Sequence, residues 1–254
     1  MAQRRAALIT GVGRAAGIGA AVARRLADSH DLVLSGYPAY DAAAGVDGER
    51  EVEAVVSELH EAGAKASQIA ADLAEPDAPR QLVAAARRSL GGLDTLVAAH
   101  AHSTLTSLGS LDAGEVDRHL TVNVRATLLL VEAFAAAHDR SRGQGRIVLF
   151  SSGQRLGPMP LELAYAASKG ALEALVISLA GELAPAGIAI NALNPGPTDT
   201  GLRSGYAYEE IRSRFPNGRW GTPVDAARTV AWLASDEAGW ITGQTIDAEG
   251  GFRR

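Results

Sequence analysis

Apolar residues in this chain follow two patterns in alternation. Short runs with little polar interruption stand at 6–10 (AALIT), 31–35 (DLVLS), 66–71 (ASQIAA), 94–99 (DTLVAA), 146–151 (RIVLFS), 188–193 (IAINAL) and 243–248 (GQTIDA). Between them, apolar positions recur with helical spacing near 18–29, 49–62, 78–90, 112–138, 162–184 and 223–235. Runs with so little alternation fit strands covered on both faces. Asp112 and Pro223 stand where helices start, and Gly63, Gly91 and Pro185 where they stop. The order of strand and helix predicts a parallel sheet with helices on each side, an α/β doubly wound domain of about seven strands. No low-complexity linker or internal repeat divides the chain, so residues 1–254 are read as one domain.

Composition narrows the functions available. With 254 residues, 47% of them hydrophobic, the chain can bury one large core. A net charge of −5 and basic residues clustered no further than pairs argue against nucleic-acid binding. The absence of cysteine removes disulfides, thiolate nucleophiles and cysteine-based zinc sites together. The first residues, MAQRRAALIT, lack the apolar core and cleavage pattern of a signal peptide. No stretch approaches the ~18 uncharged apolar residues of a membrane span. A soluble cytoplasmic protein without a membrane partner is expected.

In such a sheet ligands bind beyond the carboxyl ends of the strands, where strand order reverses. The first such end reads ITGVGRAAGIGAAVARRL. Gly11 follows a strand, and Gly17, Ile18 and Gly19 open a helix. Glycines there let the backbone approach a pyrophosphate, and the helix amino terminus favours its charge. A second stretch, LAYAASKGALEA at 163–174, sets Tyr165 and Lys169 four apart on one helix face among small residues. A free phenol has a pKa of about 10. A neighbouring ammonium favours the phenolate, so the pair is suited to exchanging a proton with a substrate oxygen. The structural alternative is an amphipathic helix with Tyr half buried and Lys solvated.

The glycine turn, the YAASK stretch and NALNPGPTDT together resemble the short-chain dehydrogenase/reductase family, from about residue 6 to the glycine pair near 250. Members acting as 3-oxoacyl-carrier-protein reductases are similar. The resemblance implies a Rossmann-type fold, a nicotinamide cofactor, a small carbonyl or alcohol substrate (an acyl thioester among the candidates) and a homotetramer. It implies a catalytic set of Asn123, Ser152, Tyr165 and Lys169. Ser152 lies 13 residues before Tyr165, and Ser151, facing the opposite way, is the structural serine of the pair. By resemblance Asn123 kinks its helix and holds a water connecting to Lys169. Cofactor contacts are expected from Gly11, Arg14, Gly17, Ile18, Gly19, Asp72, Leu73, Ala98, Tyr165, Lys169, Pro195, Gly196, Thr198 and Thr200. Among these, Asp72 would accept from the adenine amino group, with Leu73 packing alongside. Each polar choice has a structural alternative: a capping role for Asp72, an exposed Asn123, a hydroxyl-rich turn for Thr198 and Thr200.

Departures from the family pattern are as informative. Where most members carry Asn-Asn-Ala-Gly, this chain has Ala98, Ala99, His100 and Ala101. The glycine turn has five residues between Gly11 and Gly17 where three are usual. His100 and His102 sit at a strand end in alternating positions that point the same way, a metal-hydrolase pattern. The other histidines show no ligand spacing, so no metal is expected. The acid that selects NAD at the end of the second strand is replaced by Gly36, followed by Tyr37. Gly36 leaves room for a 2′-phosphate that Arg14 reaches, whereas Asp41 and Asp47 lie in a loop expected to point away. NADP(H) is therefore the preferred cofactor, NAD(H) the alternative. Residues 201–221, with Tyr206, Tyr208, Phe215 and Trp220, are the expected substrate lid. The function expected is ketone and secondary-alcohol interconversion, and the alternative is a nucleotide-binding regulatory protein with little turnover.

Overall fold

In the computed structural model the described residues are 4–43, 45–201 and 206–254. The strands are β1 (Arg5–Thr10), β2 (His30–Ser35), β3 (Ala66–Gln68), β4 (Thr95–Ala98), β5 (Gly145–Phe150), β6 (Ile188–Asn194) and β7 (Thr245–Asp247). All seven run parallel in one sheet of order β3-β2-β1-β4-β5-β6-β7. The order reverses between β1 and β4, which places the switch-point crevice at Gly11 and Ala99. Each predicted strand is present, the outer ones shortened: the run at 66–71 pairs only over Ala66–Gln68.

Successive side chains of each strand go to opposite faces, and each face has its own core. Ile9, Leu34, Val97, Val148 and Leu193 pack with Val22, Val55 and Val230. These last come from α1 (Ile18–Leu26), α3 (Gly48–Glu61) and α9 (Pro223–Ala234). Leu8, Val33, Leu96, Leu149 and Ile190 pack on the other face with Leu82, Leu130 and Val176. Their helices are α4 (Ala78–Leu90), α6 (Ala126–Ala137) and α7 (Leu163–Leu183). The alternating burial explains why the strand runs read as apolar throughout.

Two helices were not anticipated, α2 (Pro38–Ala43) and α8 (Tyr206–Ser213). At 6 and 8 residues both are too short for periodicity to give a signal. The predicted helix 112–138 is α5 (Ala113–His119) and α6 joined by a π-helical segment, Leu120–Arg125. Asp112 caps it by accepting from Glu115 N at 3.1 Å. Ala113–Ala137 and Leu163–Ala186 are long and apolar enough to cross a membrane, with mean hydropathies of 1.5 and 1.3. Counting uncharged apolar runs missed this, because alanines raise the average around scattered charges. Both stretches lie against the sheet and bring Asn123, Tyr165 and Lys169 to its carboxyl edge.

Candidate active site

The reactive groups gather beyond β5. Ser151 and Ser152 follow its last residue, and the first turns of α7 carry Tyr165 and Lys169 past them. Lys169 is buried, and its Nζ donates to the Phe150 carbonyl at 2.8 Å, 5.5 Å from the centre of the Tyr165 ring. This rules out a solvated lysine. Ser152 stands near the Tyr165 phenol and works to lower its pKa. Ser151 faces away and donates to Glu173 Oε1 at 2.6 Å, the structural role expected of it.

The electrostatics correct one expectation. Burial pushes the Tyr165 phenol up to about 12; the Glu162 carboxylate adds to the rise and Ser152 works against it. Burial also brings the Lys169 ammonium down to about 8. The ammonium is turned to a carbonyl rather than to the phenol oxygen, so desolvation outweighs its pull. Tyr165 keeps part of its surface open to the cleft while its phenol end is packed round with protein.

Asn123 is buried within the π-helical segment. Its Oδ1 accepts from His102 N at 2.7 Å, and its Nδ2 donates to His102 O at 3.0 Å and Ser168 Oγ at 2.9 Å. Ser168 in turn donates to the Tyr165 carbonyl at 2.7 Å. Asn123 thus clamps the loop after β4 to α7 and reaches the catalytic helix through Ser168, one residue from Lys169. It is a positioning residue here, and its wider π turn is the local distortion expected of it.

The glycine turn fits a bound pyrophosphate. Gly11, at φ 75°, lies so close to the next strand end that a Cβ would fall 2.5 Å from His100 N. Gly19 packs on the Gly11 carbonyl, where a Cβ would come within 2.8 Å. Helix α1 starts from Gly17 with no side-chain cap and no acidic residue in its first turn, while in the loop before it Ala15 N donates to Glu51 Oε2 at 2.6 Å. Arg14 reaches across the crevice, its Nη1 donating to Thr200 O at 3.4 Å.

The remaining expected contacts divide. Ala98 ends β4, buried between Thr10 and Leu149. Leu73 is buried, and Asp72 accepts from Ala74 N at 2.8 Å. The turn-forming alternative for Asp72 is therefore realised. Pro195 and Gly196 turn the chain after β6, Gly196 at φ 63°. The Thr198 hydroxyl folds back onto Gly196 O at 3.1 Å, leaving Thr200 as the freer hydroxyl. Of the two loop acids expected to point away, only Asp41 departs from that expectation. Asp47 caps α3 by accepting from Arg50 N at 3.2 Å, whereas Asp41, on α2, lays its carboxylate against Gly13 in the glycine turn.

The paired-histidine expectation fails, because β4 ends at Ala98 and residues 99–102 are loop, so alternation no longer applies. His100 turns inward: Nδ1 accepts from Thr10 Oγ1 at 2.7 Å and Nε2 donates to Val122 O at 3.1 Å. Burial, with the Lys169 charge beside it, brings its pKa down to about 3, so it stays neutral. His102 turns the other way, to Glu115 Oε2 at 3.0 Å. Its ring meets His119 edge-on at 4.6 Å, and His119 meets Tyr165 at 6.5 Å. His119 and Glu115, which the sequence reading passed over, stand four apart on α5, a spacing that signals a shared face.

A family profile described as Enoyl-(Acyl carrier protein) reductase matches residues 11–253. An uncharacterized oxidoreductase of Bacillus subtilis is 42% identical over 99% of this chain and 98% of its own. The chain belongs to the short-chain dehydrogenase/reductase family. Other members include the 3-oxoacyl-[acyl-carrier-protein] reductase of Staphylococcus aureus, 32% identical over 99% of both chains. A Burkholderia cenocepacia short-chain dehydrogenase, solved in complex with NADP, superposes with a TM-score of 0.87 at 33% identity over 99% of each chain. Set against the short-chain dehydrogenase/reductase pattern, His100 occupies a place usually held by a small residue. It ties β1, the loop after β4 and the π-helical segment together, where this chain lacks the family's asparagines.

Of the expected lid, residues 202–205 lie outside the described residues. Tyr208 stacks on Trp220 at 4.9 Å and donates to Asp199 Oδ2 at 3.0 Å. Phe215 and Trp220 are buried, and Phe215 packs on Phe252 at 4.8 Å. Tyr208, Phe215, Trp220 and Phe252 thus form a small core of their own beside the 195–201 turn.

Proposed function

We propose that the protein interconverts a ketone and a secondary alcohol, with NADP(H) as preferred cofactor and NAD(H) as the lesser one. The observation that carries this reading is the convergence of Ser152, Tyr165 and Lys169 at the carboxyl end of β5, two strands from the glycine turn. When bound, a nicotinamide cofactor supplies or accepts the hydride. Ser152 holds the substrate oxygen by a hydrogen bond. Tyr165, protonated at neutral pH with its pKa near about 12, delivers a proton to that oxygen during reduction. Lys169 spends one N–H on Phe150 O and keeps two for the cofactor's ribose hydroxyls. Asn123, through Ser168, keeps α7 in register with the loop after β4. In the cofactor cradle, Gly11, Gly17, Ile18 and Gly19 take the pyrophosphate, Asp72, Leu73 and Ala98 the adenosine, and Pro195, Gly196, Thr198 and Thr200 the carboxamide side.

The preference for NADP(H) rests on the end of β2. A Cβ at Gly36 would fall 2.2 Å from Val12 O, so no acid fits where NAD-selecting members carry one. Arg14 stands at the crevice as a partner for a 2′-phosphate. Asp41, against Gly13, opposes this choice, and admitting the phosphate requires it to swing out. The Burkholderia relative in complex with NADP supports the same reading.

For substrate, the reading favours a 3-oxoacyl thioester first, on the likeness to the Staphylococcus aureus reductase. Residues 201–221 serve as its lid. The enzyme is read as a cytoplasmic homotetramer, for which exposed Ile177 on α7 and Trp240 before β7 offer apolar surface. The test is a panel of ketones, alcohols and 3-oxoacyl thioesters followed by nicotinamide absorbance with each cofactor. Turnover of at least one ketone with NADPH ahead of NADH is expected. A cofactor that binds tightly and is never oxidised across the panel replaces this reading with the regulatory one.

A further inference from the structure

His102, Glu115 and His119 bring two imidazoles and a carboxylate together beside Tyr165. One ligand atom of each lies within 4.8 Å of the others. None of the three has a part in the proton and hydride transfer described above, so the cluster calls for its own explanation. Glu115 and His119 share a face of α5, and His102 approaches from the loop after β4.

What distinguishes the cluster from a chance meeting is how its members are held. His119 Nδ1 donates to the Glu115 carbonyl at 2.8 Å, which leaves Nε2 as the basic nitrogen. That nitrogen receives only a long 3.3 Å bond, from Thr104 N. Thr104 Oγ1 donates to Glu115 Oε2 at 2.8 Å and fixes the carboxylate. The backbone of His102 is gripped on both its N–H and its C=O by Asn123. Outer hydrogen bonds of this kind, an imidazole N–H on a backbone carbonyl above all, are what orient ligands around a metal.

We propose that His102 Nε2, Glu115 Oε2 and His119 Nε2 form a site for a divalent cation of the zinc class. Two nitrogens and one oxygen are the donor set that suits such an ion, with a fourth position open to water or a substrate oxygen. Calcium and magnesium, which ask for oxygen ligands, are excluded by the two imidazoles. Binding replaces the hydrogen bond between His102 and Glu115 and displaces Thr104 N–H from His119 Nε2: His102 Nε2 gives up its proton, to Nδ1 or to solvent, and the freed lone pairs go to the metal. The site is reached from the side of the part-exposed Glu115, whereas His119 is wholly buried. It adjoins Tyr165 without sharing an atom with the Tyr165–Lys169–Ser152 set, so it stands or falls apart from the catalytic reading.

The test is titration of the full chain with Co²⁺, followed by its visible ligand-field bands, with Zn²⁺ competing it off. One ion per chain is expected. His119→Ala and Glu115→Gln are expected to weaken it by more than 100-fold, beyond the ~10–100-fold typical of an outer partner. Thr104→Val is expected to fall within that outer-partner range. Circular dichroism shows which variants fold. If His119→Ala does not, Glu115→Gln and Thr104→Val carry the same comparison from part-exposed positions. No stoichiometric binding by the wild-type chain, or binding of equal strength in the variants, overturns the proposal.

Discussion

At the scale of single residues, Tyr165 and Lys169 repay the closest reading. Their spacing identified the pair from sequence, but the direction of the phenol's pKa was misread. Sequence shows which charges are near in the chain and not how much water is removed, and here desolvation wins. A buried lysine with its pKa brought down to about 8 makes a pH prediction. The ammonium predominates below that value and is lost as pH rises through it. kcat/KM for the cofactor, which reports the free enzyme, is expected to decline above about pH 8. In Lys169→Arg that decline should vanish, since guanidinium does not titrate there. A wild-type profile flat to pH 10 would mean that the lysine's charge does not support binding.

At the scale of elements, the sheet and its major helices were legible because burial on both faces leaves unbroken apolar runs, and sheet-covering helices leave a helical period. The glycine turn and the Tyr165 helix were legible as well. What periodicity missed was short: α2, α8 and the break between α5 and α6. Missing α2 also misplaced Asp41, which lies on the cofactor crevice rather than away from it. The metal-like pairing of His100 with His102 failed because β4 stops two residues early. Glu115 and His119 carried no signal of the cluster in the sequence because their partner His102 comes from a loop, 13 residues from Glu115. Arg14→Ala is expected to weaken NADPH binding more than NADH, by ~10-fold or more for a charge-assisted pair. Asp41→Asn is expected to do the opposite, tightening NADPH with little effect on NADH. Both are read by fluorescence titration, and equal effects on the two cofactors would remove Arg14 and Asp41 from the choice. Gly36→Asp, the simplest route to an NAD enzyme, places its Cβ on the Val12 carbonyl. A loss of at least ~1–3 kcal/mol of stability is expected by chemical denaturation, as for other overpacked sites.

For the whole molecule, the fold places its chemistry at one edge. In the proposed function the crevice between β1 and β4 supplies the anion-binding helix end, β5 and α7 the acid and its partners, and the turn after β6 the far side. The loop after β4 links these parts: Asn123 holds His102 and α7 together, while His100 holds β1 to the π-helical segment. This arrangement explains how binding and proton transfer separate. Cofactor affinity depends on the whole crevice, whereas proton delivery depends on one phenol. Metal removal is expected to leave turnover unchanged, because hydride transfer to a carbonyl draws its acid from Tyr165; a chelator-sensitive activity restored by zinc would contradict that. The most direct test of the account is to measure NADPH affinity and ketone turnover together for Tyr165→Phe. The account predicts nearly unchanged affinity with turnover reduced at least ~10²-fold, the loss expected of a positioned proton donor. Turnover close to that of the wild type would remove Tyr165 from the reaction and contradict the account at its centre.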